Sequence, residues 1–125
     1  MATISETDIN ISLAFPKAGV TFAIKCGPPE GSANGHASSF NVTALDSSSS
    51  QALKFNEETS PQLADWIKGY TRWLRRASVT ASYDENGITG SLAAGLTPEQ
   101  SLANIQLACD MIRQRFELYD ESILV

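Results

Sequence analysis

The chain has 125 residues, 42% of them hydrophobic and 18% charged, and a net charge of −5. That composition describes one domain, residues 1–125, large enough to bury a core of its own, and it excludes a wholly disordered chain. The acidic balance argues against a general nucleic-acid binder, which carries a basic footprint.

Residues 1–7 are polar. Ile9, Ile11, Leu13 and Phe15 then alternate with polar or small residues, as do Val20, Phe22, Ile24 and Cys26 after the turn residues Pro16–Gly19. Period-two alternation with one apolar face predicts a hairpin that needs a cover on that face. Gly27–Ala37 holds two prolines and three glycines in eleven residues, so it is expected to be a loop. It contains His36, the only histidine, which reads as a solvated loop residue. Phe40, Val42 and Ala44 mark a third strand over Ser39–Leu45. After the serine-rich turn Asp46–Ser50, Leu53 and Phe55 suggest a short fourth strand, Gln51–Asn56.

Ser60–Ala77 carries both tryptophans and four of the nine basic residues. At 100° per residue, Leu63, Trp66, Ile67, Tyr70, Trp73, Leu74 and Ala77 fall on one arc, with Lys68, Arg72 and Arg75 opposite. This is an amphipathic helix, with Ser60 as expected N-cap and Pro61 at the first helical position. Val79, Ala81 and Tyr83 alternate again. Asn86-Gly87 marks a hairpin turn, and Ile88–Ala93 the return strand. Thr97, Pro98 and Gln100 open the last helix through a capping box. It is expected to reach about Tyr119 and to bury Leu102, Ile105, Cys109, Ile112, Phe116 and Tyr119. Leu107, Met111 and Leu118 form a second apolar row on another side. A surface helix needs one apolar stripe, so the second row predicts a homodimer with this helix at or near the contact.

The expected order is ββββ-α-ββ-α: an α+β fold, with a mostly antiparallel sheet and two helices on one face. In element order alone, the four strands followed by a helix resemble the Whirly and PUR-type single-strand-binding proteins. No residue motif accompanies that likeness, and it implies no function.

No apolar run approaches the ~20 residues that span a bilayer, and the N-terminal residues lack the pattern of a secretory signal. Cys26 and Cys109 are far apart and in no CxxC pattern; they read as buried reduced thiols. These features lead us to expect a cytoplasmic protein with no membrane contact. The sequence shows no GxSxG, P-loop, GxGxxG or HExxH, so no catalytic residues, metal ligands or cofactor are assigned.

The chemistry left over is aromatic and basic. Trp66 and Trp73 lie at one edge of the apolar arc, close to Arg76, and Arg113 and Arg115 on the last helix are placed to join them. An aromatic plane beside guanidinium groups suits a base plus a phosphate. The expected function is a non-enzymatic, homodimeric binding protein for a small anionic, nucleotide-like ligand. The alternatives are a protein–protein adaptor or inhibitor with an acidic docking surface, and a single-stranded nucleic-acid binder using the basic helix.

Overall fold

In the computed structural model, alternating strand residues and two amphipathic helices meet in one hydrophobic layer. The structure describes residues 8–27, 38–58 and 60–122, the last five of these through their backbone only. All of the Gly27–Ala37 segment except Gly27, including His36, lies outside the described residues, as do the side chains of Leu118 and Tyr119 and most of the Ser122–Val125 tail.

The elements are β1 (Ile9–Phe15), β2 (Val20–Cys26), β3 (Ser39–Asp46), α1 (Pro61–Trp73) with a 3₁₀ turn over Leu74–Ala77, β4 (Val79–Asp84), β5 (Gly87–Leu92) and α2 (Pro98–Ser122). They form an α+β fold. One five-stranded sheet runs in the order β1-β2-β3-β5-β4 with every neighbouring pair antiparallel. Both helices cover the same face.

The β1–β2 hairpin closes at Gly19, whose φ of +69° accommodates the turn and whose N–H donates to Phe15 O. Phe15 then pairs with Val20, and the register runs without a bulge to Ile9 opposite Cys26. Phe22, Ile24, Cys26, Phe40, Val42 and Ala44 project toward the helices and are buried.

The expected fourth strand does not form, so the order is βββ-α-ββ-α and the likeness in element order to the single-strand-binding proteins lapses. β5 occupies the edge of β3 from Ser39 to Val42. Only the far end of β3 is left to the 51–53 segment, which makes one bridge, Leu45 to Ala52, and a bond from Leu53 N–H to Ala44 O. The chain then leaves for the β4–β5 turn, where Phe55 N–H donates to Glu85 O. The apolar pair is still used: Phe55 is buried and Leu53 packs against the core.

The helix starts differ. At α2 the capping box forms: Gln100 N–H donates to Thr97 Oγ1 at 3.1 Å, and Thr97 N–H donates to Gln100 Oε1 at 3.0 Å. At α1 the Ser60 side chain makes no cap bond. Its backbone carbonyl accepts from Ala64 N–H, and Pro61 sets the first helical φ.

Two expectations about α2 are corrected. Leu102, placed on the core face, is 46% exposed. The buried arc is centred on Ser101, Ile105 and Ile112, and Leu102 falls just beyond it. Met111, placed on an outward row, is 5% exposed and belongs to the core cluster. It sits one turn before Arg115, which reaches Trp73 of α1, so this flank of α2 faces α1 and the chain covers Met111 itself. Leu107 remains exposed.

Candidate functional site

The sequence proposed five residues for one surface, and the structure brings three of them together. Trp73 closes α1 and is partly buried. Arg76, three residues on in the 3₁₀ turn, places its Cζ 5.0 Å from the Trp73 ring centroid. Arg115 comes from α2 and lies closer, with Cζ 3.2 Å from the same centroid. Two guanidinium groups therefore share one indole, whose negative π cloud attracts both.

Gly69 lies one helical turn before Trp73, so it shares that face of α1. A Cβ built on Gly69 would stand 3.7 Å from Arg115 Nη1, an ordinary contact. The glycine is therefore not required for the stack. Gly69→Ala is expected to stabilise the protein by about 0.5–1 kcal/mol, because alanine removes the entropic cost of glycine inside a helix. A thermal melt checks this; a lower melting temperature would mean that Arg115 cannot tolerate the methyl group.

Neither Arg76 nor Arg115 pairs with a carboxylate among the described residues. The ion pairs found there are Lys68–Glu57 and Arg113–Asp110, each at 3.9 Å. Arg72 and Arg75 on the same helical segment also lack a described ion pair. Among the described residues, the end of α1 thus presents positive charge on a protein that is acidic as a whole.

The other two proposed residues lie elsewhere. Trp66 is 3% exposed. It stacks on Tyr70 with ring centroids 4.6 Å apart and contacts Phe22 and Phe116 in the core. Trp66 and Trp73 are seven positions apart and share a direction on the helix, but α1 passes over the sheet at Trp66 and has reached its end at Trp73. Arg113 belongs to the opposite flank of α2, where it lines a groove with Ser12–Pro16 and Glu117.

Below the cluster, α1 is tied to α2 by the Tyr70 hydroxyl, which donates to Ala108 O at 2.9 Å. Burial pushes the Tyr70 phenol far above its ordinary range, and the Cys109 and Cys26 thiols add to the effect. Burial also raises the Cys26 thiol to about 12 and the Cys109 thiol to about 11. Both cysteines are free, buried and protonated at neutral pH; as packed thiols they lack the thiolate character that nucleophilic cysteines need. Among the described residues no group of three or more His, Cys, Asp or Glu could hold a metal. No described helix is long and apolar enough to cross a membrane.

Comparison of the chain with protein-family models, with curated proteins and with solved structures gave no match.

Proposed function

We propose that this chain is a non-enzymatic, homodimeric binding protein of the cytoplasm that takes a small anionic, nucleotide-like ligand at the Trp73–Arg76–Arg115 surface. The observation that carries the reading is a pair of guanidinium groups at one indole, neither neutralised by a described carboxylate. Arg115 is held by its stack and by the helix pair. Arg76 is exposed and has the greater freedom to close on an anion. A phosphate can accept from both guanidinium groups, and the exposed part of the ring and the guanidinium planes offer flat surfaces to a base.

Calorimetry with nucleoside mono- and diphosphates tests the reading. The parent protein is expected to bind, and Arg76→Ala to weaken binding roughly 10- to 100-fold, the range of one lost charge-assisted hydrogen bond. The thermal melt of the variant should match the parent, since Arg76 is outside the core. A parent protein that takes up neither nucleotides nor inorganic phosphate would overturn the ligand reading.

A further inference from the structure

We propose that the outer edge of β1 docks the β1 strand of a second copy of this chain, the two strands pairing antiparallel about a two-fold axis perpendicular to the sheet. This rests on the homodimer reading above and names its surface.

β1 ends the sheet and bonds only to β2 among the described residues. All seven of its residues pair with β2 in unbroken register, so alternate N–H and C=O groups point outward along its length. Proteins usually protect such an edge with charge, proline, a bulge or a short strand. Ile9–Phe15 contains no charged residue and no proline, and the pairing has no bulge. The opposite edge, β4, is a residue shorter and ends on Asp84.

The pattern of burial along β1 fits a second copy. Ile9, Ile11, Leu13 and Phe15 all face the helix layer. Leu13 and Phe15 are buried, whereas Ile9 and Ile11 are only half-buried. A two-fold axis perpendicular to the sheet keeps both helix layers on one side. Residues directly opposite in an antiparallel pair share a face, so this axis sets odd-numbered residues against odd-numbered ones. Ile9 and Ile11 then meet apolar residues of the second strand, and the remaining exposed isoleucine surface is covered. Any register that sets odd against even would bring apolar residues against the polar face.

Among the described residues there is room for the incoming strand. A groove of about 470 Å³ runs beside Ser12–Pro16, bordered by Arg113 and Glu117 of α2 and by no β2 residue. Its rim carries one charge of each sign, so a second copy meets no net repulsion there. The arrangement also sets α2 beside the contact.

Sedimentation, together with hydrogen exchange of the intact protein over a dilution series, tests the proposal. A dimer is expected in which both alternating sets of β1 amides are protected. On dilution to monomer, the outward set should exchange on the order of tenfold faster or more, while the amides of β2 and β3 keep their rates. Ile11→Lys, which places a charge against the second strand, should raise the dimer dissociation constant at least about tenfold. If that variant fails to fold, the exchange series on the parent decides. A dimer whose outward β1 amides exchange fast at every concentration would overturn the edge contact and leave the homodimer reading standing. A parent protein that is monomeric at high micromolar concentration would overturn both. Protected outward amides in that monomer would show that the chain covers its own edge.

Discussion

Phe22→Ala is expected to destabilise the protein by about 3–5 kcal/mol, the range for removing a buried phenylalanine side chain. Phe22 is fully buried, and it is the residue at which the layers meet. Its ring makes an edge contact with Phe15 of β1 at 5.7 Å and with Phe116 of α2 at 4.9 Å, and it lies 4.8 Å from Trp66 of α1. Truncation leaves a cavity bordered by three aromatic rings from three elements. Those rings are fixed by their own neighbours: Phe15 contacts Phe116, and Trp66 stacks on Tyr70. Such a site collapses poorly, which favours the upper part of the range. In urea or guanidinium denaturation the midpoint should fall sharply with little change in slope. A midpoint equal to that of the parent would mean that Phe22 does not join sheet to helices.

What was legible in the sequence was whatever depends on local period and local chemistry. The alternation through Ile9–Phe15 and Val20–Cys26 gave the first hairpin, because one side of the sheet is covered and the other open. Thr97 and Gln100 announced their own reciprocal bonds, because a capping box is closed within four residues. Tertiary competition was not legible. Leu53 and Phe55 alternate like a strand, but β5 takes the edge they would need. Met111 looks outward on a wheel centred on the sheet, yet α1 lies on that flank. The same limit split the candidate site. A helical wheel gives direction but not depth, so it grouped Trp66 with Trp73. Arg115 could be placed near α1 only once the two helices were packed. Arg113, two positions away, points roughly 200° around the helix and so reaches β1. Nothing in the chain order reveals that β1 ends the sheet.

Gly87→Ala is expected to cost about 2–6 kcal/mol, from backbone strain and a steric clash of about 1–3 kcal/mol each. The β4–β5 hairpin turns on Glu85-Asn86, between the paired residues Asp84 and Gly87, one residue earlier than the expected Asn86-Gly87 turn and without positive φ at both residues. Asn86 is not among the residues with positive φ, and its N–H donates to Asp84 Oδ1 at 2.8 Å. The positive φ, +136°, falls on Gly87, in a region that a residue with a Cβ avoids. Space forbids a side chain as well. A Cβ on Gly87 would overlap the carbonyl oxygen of Val42 on β3 and crowd the Val42 carbonyl carbon at 3.3 Å. The obstacle is backbone, so no rotamer change relieves it. The clash lies beside the Val42–Ile88 pair, the last in the ladder that joins the β4–β5 hairpin to β3. The variant should therefore lose global stability and also expose the amides of that ladder. Its denaturation midpoint should fall, and the β3 and β5 amides should exchange faster than those of the β1–β2 hairpin. Gly95→Ala is the control. Gly95 also has positive φ, +86°, but no atom within 4 Å of a built Cβ, so it reports the backbone penalty alone. If the two variants lose equal stability, the close approach to Val42 contributes nothing and the strained φ accounts for the whole effect.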